Sequence, residues 1–262
     1  MKNYISANKA LWNRKTSIHL DSEMYDMPSF LAGKTSLKQY ELDLLGDVRG
    51  KKILHLQCHF GQDTLSLARM GAEVVGVDLS DVAITKAREL AQELDLNATF
   101  VCCDVLEADQ YLQDSFDIVF TSYGTIGWLP KLERWGKMIS HFLKPSGQLI
   151  FVEFHPVMWM LDDATFTKIA YPYFNKMTFE ETVTTTYSDG PAHEPLLSYS
   201  WNHPLTEVFQ ALLGNGLTIM DFQEYDTSPY NCFPNTIEVE GGYQIKERVG
   251  KLPMVYAIVA KK

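Results

Sequence analysis

Cysteines are few in this sequence, basic residues are outnumbered by acidic ones, and no apolar run is long. The four cysteines, Cys58, Cys102, Cys103 and Cys232, include one adjacent pair and sit in or near apolar context. In a chain of 262 residues this usage argues against a disulfide framework and for reduced thiols, hence for the cytoplasm. No stretch reaches the ~18 apolar residues of a membrane span. The opening MKNYISANKALWNRK has no apolar signal core and no small-residue cleavage site. Lys and Arg number 23 against 33 Asp and Glu, a formal charge of −10. So anionic a body repels a phosphate backbone and an anionic lipid surface, so neither nucleic acid nor membrane is the expected partner. There is no internal repeat and no low-complexity segment. The content of 46% hydrophobic and 21% charged residues is that of an ordinary globular chain. At this length roughly three quarters of the unfolded surface is buried, so a core forms without metal or disulfide.

Residues 1–46 have a helical, amphipathic pattern punctuated by Pro28 and Gly33. From there short apolar runs alternate with helical spacing. Strands are expected at Ile53–Leu56, Glu73–Leu79, Thr99–Cys103, Phe116–Phe120 and Gln148–Phe154. Helices are expected at Asp63–Met70, Asp81–Leu94 (capped by Ser80) and Pro130–Leu143. Such alternation predicts a parallel α/β sheet covered on both faces. It stops after Phe154. Residues 155–203 are rich in Tyr, Trp and Phe, with a β-prone run Thr182–Tyr187 and a turn Ser188–Pro191, and they read as a hairpin with loops. A helix over Pro204–Leu213 and strands at Leu217–Tyr225 and Met254–Ala260 follow. No helix separates these two strands, so at least one is expected to pair antiparallel. The whole is expected to be one domain: a helical cap over 1–46, a core over 47–154, an insertion over 155–203 and a C-terminal part over 204–262.

The sharpest pattern is a strand, a turn with Gly61, a helix, and a second strand ending in Asp78. A carboxylate there can accept from both hydroxyls of a ribose. The competing reading is a charge favourable to the next helix's N-terminus. Asp104 ends the following strand, placed to accept from an adenine amino group or simply to form a turn.

This arrangement resembles the class I S-adenosylmethionine-dependent methyltransferases, closely over 50–154 and loosely over 204–262. It is nearest a bacterial small-molecule type. The resemblance implies a Rossmann-like, mostly parallel seven-stranded sheet with helices on both faces, an N-terminal helical lid and an insertion after the fifth strand. It implies S-adenosyl-L-methionine as cofactor. The family's acid and glycine-rich loop map to His55-Leu56-Gln57-Cys58-His59-Phe60-Gly61-Gln62-Asp63-Thr64. Gly61 matches the last glycine, His55 stands where the acid usually is, and Gln57 and His59 stand where two glycines usually are. Asp78 and Leu79 map to the ribose side, and Cys103, Asp104 and Val105 to the adenine side. Ser122 and Tyr123 map beside the methionine moiety, and Gln57 to the loop under it. Asp63 is a candidate to replace the lost acid, or else a first-turn helix charge. Asp117 opens the fourth strand, where the family also has an acid.

His155 follows the fifth strand, where an open parallel sheet binds ligands. It is a candidate general base, or else a loop histidine held by Pro156. His55, Cys58 and His59 are ligand types for a metal, but alternating strand geometry does not converge them, so no metal is expected. The expected function is methyl transfer to a small-molecule acceptor, with 155–203 forming its pocket and Trp12 and Tyr25 either closing over the cofactor as part of the lid or packing helix against sheet. A non-catalytic binding protein on the same fold is one alternative. A nicotinamide- or flavin-dependent oxidoreductase is the other, though it would need glycines that Gln57–Gln62 supplies only at Gly61.

Overall fold

A computed structural model describes residues 4–188 and 190–262. Residues 1–3 lie outside it, as does Asp189, and with Asp189 the centre of the expected Ser188–Pro191 turn.

The N-terminal segment folds as α1 (Tyr4–His19), a 3₁₀ turn (Glu23–Tyr25), α2 (Met27–Leu31) and α3 (Gln39–Leu45). The Asp26 side chain accepts from the Ser29 amide and Pro28 sits in the first turn of α2, so a short helix starts where the sequence punctuates. The core runs β1 (Lys52–Leu56), α4 (Gln62–Arg69), β2 (Glu73–Asp78), α5 (Asp81–Glu93), β3 (Ala98–Cys102), β4 (Phe116–Ser122), α6 (Leu132–Phe142) and β5 (Leu143–Phe154). Beyond it come β6 (Phe179–Val183), β7 (Leu196–Ser200), α7 (Leu205–Leu213), β8 (Thr218–Tyr225), β9 (Thr236–Val239), β10 (Gly242–Ile245) and β11 (Val255–Lys261).

Seven strands form one sheet in the order β3-β2-β1-β4-β5-β11-β8. The first five are parallel, with Leu54 opposite Val75 and Ile53 opposite Ile118. β11 runs antiparallel to both β5 and β8, as the missing crossover helix required. One face is covered by α6 and α7, around fully buried Trp135, Phe142 and Val208. On the other, α5 places Ala83, Ile84, Ala87 and Leu90 against Phe60 and Phe100. Helix α5 keeps its expected start, because the Ser80 hydroxyl accepts from the Ala83 amide at 3.0 Å. No helix among the described residues is long and apolar enough to cross a membrane.

Two local expectations shift. The strand expected at 182–187 is laid down at Phe179–Val183, paired antiparallel with β7. Residues 184–187 leave that ladder and meet α1 and the 3₁₀ turn after it instead: Thr186 Oγ1 is 2.6 Å from His19 Nε2, and Tyr187 Oη is 2.6 Å from Tyr25 Oη. A further hairpin, β9–β10, lies between β8 and β11, where the sequence pattern showed no strands.

Candidate active site

A cavity of about 610 Å³ opens at the carboxyl ends of the parallel strands, beneath α1 and the segments that follow β5 and β8. That is the expected place for a ligand in an open parallel sheet, and the volume lies within the ~300–1,000 Å³ of ligand sites.

Its floor is the loop after β1. Gln57, His59 and Gly61 all have left-handed backbone, with φ of 57°, 53° and 82°. The chain therefore keeps a glycine's conformation while carrying side chains at two positions, at a cost of roughly 1–2 kcal/mol each. Gly61 is also constrained by space, since a Cβ there would fall 2.8 Å from the Phe100 ring. Gln57 Nε2 donates to Thr125 O at 2.8 Å, tying this loop to the one after β4. The His59 ring packs between Trp12, His19, Tyr25 and Phe60.

Asp78 accepts from the amides of His59 and Ser80, both at 2.8 Å. Burial outweighs those bonds and raises its pKa to about 6. Asp104 caps the turn after β3 at the Leu106 amide, 2.9 Å away, and burial raises its pKa too. Asp63, at the start of α4, accepts from Ser36 Oγ at 2.6 Å and is likewise pushed up by burial. His55 sits on β1 with Nδ1 2.8 Å from Thr64 Oγ1, and burial lowers its pKa to about 3, so it is a neutral imidazole.

The cavity thus brings together Gln57, Gly61, Asp63, Asp78, Leu79, Asp104, Val105, Ser122 and Tyr123. Two anticipated residues are elsewhere. Cys103 is buried in the core cluster with Val105 and Leu112, its thiol pushed up to about 12 by burial. His155 is buried with Nε2 3.0 Å from Glu224 and its ring against Tyr256. Its backbone amide pairs with Met254 O, which fixes that orientation, and it is not part of the cavity wall. Burial lowers its pKa and Glu224 pulls the other way. Asp117 lies at the opposite end of the sheet, taking the Lys52 amide at 2.8 Å and Lys144 Nζ at 3.0 Å.

Several residues that shape the site escaped sequence reasoning. Glu153, buried on β5, accepts from the amides of Gly124, Thr125 (2.7 Å), Ile126 (3.3 Å) and Phe154 (2.7 Å), and from Thr125 Oγ1 (3.0 Å). An acid inside the apolar run Phe151–Phe154 was its visible signal. Glu41 of α3 is fully buried and accepts from Tyr123 Oη at 2.8 Å, with burial raising its pKa to about 8. Lys15 of α1 places Nζ 5.1 Å from the Trp12 ring, 5.3 Å from Trp128 and 5.5 Å from Tyr187. Beyond the strand ends the wall is aromatic, formed by Phe154, Trp159, Tyr230 and Phe233.

Half-buried acids at consecutive strand ends, on this sheet order, fit the ligand-binding half of a Rossmann-like fold. Residues 53–147 match the family model of a methyltransferase domain. Over that segment, and in its sheet order, the chain resembles the class I S-adenosylmethionine-dependent methyltransferases. A ubiquinone biosynthesis O-methyltransferase of Coxiella burnetii is 32% identical over 124 residues, 47% of this chain and 51% of that one. The chain spans about half the length of such curated relatives. An S-adenosylmethionine-dependent methyltransferase structure from Mesorhizobium loti superposes with a TM-score of 0.58 at 19% identity, over 88% of this chain and 100% of that one. A DhpI–SAH complex does so with a TM-score of 0.56 at 16% identity, over 99% and 97%. At those identities the likeness speaks to the fold.

Proposed function

We propose that this protein transfers the methyl group of S-adenosylmethionine to a small-molecule acceptor in the cytoplasm. The observation that carries the reading is one covered cavity holding Asp63, Asp78 and Asp104 at the ends of adjoining elements. Buried acids are costly unless a ligand answers them. This cofactor does so with the ammonium of its amino-acid arm, two ribose hydroxyls and an adenine amino group. Asp78 would hold the ribose, Asp104 the adenine and Asp63 the arm. When bound, the cofactor supplies an electrophilic methyl on a sulfonium.

The chain's own part is positioning and exclusion of water. The Glu153-held loop fixes Tyr123 and Ser122 beside the cofactor pocket. The aromatic wall receives the acceptor and keeps the site dry, which strengthens every charge interaction inside it. Phe154, Trp159, Tyr230 and Phe233 suit an acceptor with a flat apolar body. Removal of the acceptor's proton is not assigned to His155, which is turned towards Glu224. The four free cysteines fit the proposed setting.

Calorimetry with S-adenosylhomocysteine and with NAD tests the reading. Binding of the first, with NAD at least a hundredfold weaker, is the expected result. Equal affinities, or NAD alone, would overturn it.

A further inference from the structure

The two residues that stand where glycines usually stand hold polar atoms with nothing to bond. Gln57 Oε1 and His59 Nδ1 are both buried without a hydrogen-bond partner among the described residues, and both side chains line the cavity. We propose that Gln57 and His59 bind the cofactor through their side chains, Gln57 taking the ammonium of its amino-acid arm and His59 linking the bound cofactor, through His19 and Thr186, to the N-terminal cover. This rests on the methyl-transfer reading above.

The chemistry of each free atom decides its role. Thr125 O needs a donor, so the Gln57 amide is oriented with Nε2 outward to it and Oε1 left over. An amide oxygen only accepts, so it calls for a donor on the ligand. Asp78 and Asp104 stand at the ends of β2 and β3, where they take the ribose and the adenine. Gln57 follows β1 two residues after His55, which stands where the family's acid usually is, and the ammonium, with three N–H donors, can serve Gln57 Oε1 as well as Asp63.

His59 has the second position. Its Nε2 lies 2.9 Å from His19 Nδ1, and His19 Nε2 lies 2.6 Å from Thr186 Oγ1. Each imidazole here is neutral, its pKa lowered by burial, so each has one donor and one acceptor nitrogen. A ligand group on His59 Nδ1 therefore fixes the tautomer of His59, then of His19, then the direction of the Thr186 hydroxyl. The same contacts join three segments far apart in the chain: the cofactor loop, α1 and the stretch after β6. Strained backbone at Gln57 and His59 has a reason on this account, since glycine would sit there without strain but could make neither contact.

The test uses the full chain and two probes, S-adenosylhomocysteine and 5′-methylthioadenosine, the latter lacking the amino-acid arm. Gln57→Gly and His59→Gly relieve left-handed strain, so both variants fold. Gln57→Gly should weaken S-adenosylhomocysteine by about tenfold or more and leave 5′-methylthioadenosine unchanged. Equal loss of both probes, or no loss, would overturn the ammonium contact. Hydrogen exchange of the amides at 4–19 reads the link to the cover. S-adenosylhomocysteine should slow it in the wild type. That slowing should disappear at saturating ligand in His59→Gly and in His19→Ala, with the double variant no worse than either. Full slowing in both single variants, or losses that simply add, would overturn the link. A wild type that binds neither probe would sink the cofactor reading itself, whereas binding with unaltered variants would sink only this inference.

Discussion

The loops after β1 and after β4 face each other across the cavity floor, bonded through Gln57 and Thr125, and they are built in opposite ways. The loop at 124–126 is saturated: one buried carboxylate, Glu153, takes the amides of Gly124, Thr125 and Ile126. The loop at 57–61 is strained and leaves polar atoms unanswered among the described residues. A carboxylate that accepts several amide bonds needs no ligand to be stable. A strained loop with free acceptors gains most when something binds. On the reading proposed above the first is scaffold and the second recognises the cofactor, although both sit at equivalent strand ends.

The sharpest way to break this contrast is Glu153→Ala. It leaves buried amides without an acceptor, at ~1–3 kcal/mol each, so urea unfolding should show a loss of about 4 kcal/mol. A loss under 1 kcal/mol would mean that the loop after β4 holds itself. Asp78→Ala comes next and acts on the recognition side. It should cost ~1.5–3 kcal/mol of S-adenosylhomocysteine affinity, roughly tenfold or more by calorimetry. Unchanged affinity would remove Asp78 from the ribose.

A third test turns on pH. Glu41 has its pKa raised from 4.5 to about 8 by burial. Between those values the folded chain holds a proton that the unfolded chain has released, so its contribution to stability falls as pH rises through that window. Glu41→Gln removes the dependence. The wild type should lose about 3 kcal/mol relative to the variant between pH 5 and pH 8, measured by urea unfolding at each pH. Parallel profiles would show that Glu41 is ionised throughout. The smallest effect is expected at Asn8, whose amide group exchanges two hydrogen bonds of 2.9 Å with the Tyr199 backbone and so pins α1 to β7. Asn8→Ala should weaken that attachment by about 1 kcal/mol, seen as faster exchange of the amides at 4–19 with global stability nearly unchanged. Exchange as slow as in the wild type would show that the aromatic contacts alone hold the helix.

The cofactor half of the fold was legible because its signals are local. Val74, Val75 and Val77 mark a strand buried on both sides, Ser80 caps the next helix, and Asp78 and Asp104 end their strands in sequence as in space. Spacing alone carries such features. The cover was legible only in outline, because its chemistry depends on pairs such as His19 with Thr186, 167 positions apart. Nothing near Glu41 in sequence shows that it will meet Tyr123, and nothing near Lys15 shows the rings of Trp128 and Tyr187. His155 was legible as a residue at a strand end, but its orientation depends on Met254 and Glu224, which only the antiparallel strand brings alongside.

That antiparallel strand has a consequence for how the chain is made. β11 lies between β5 and β8 but is the last of the three to leave a ribosome. Until residues 255–261 emerge, β5 presents Phe151 and Val152 on an unpaired edge, and β8 has no neighbour in the sheet at all. Open apolar edges are what aggregating chains share. A ribosome that stalls anywhere between 226 and 254 therefore releases not a slightly shortened protein but one whose main sheet has lost two of its seven strands.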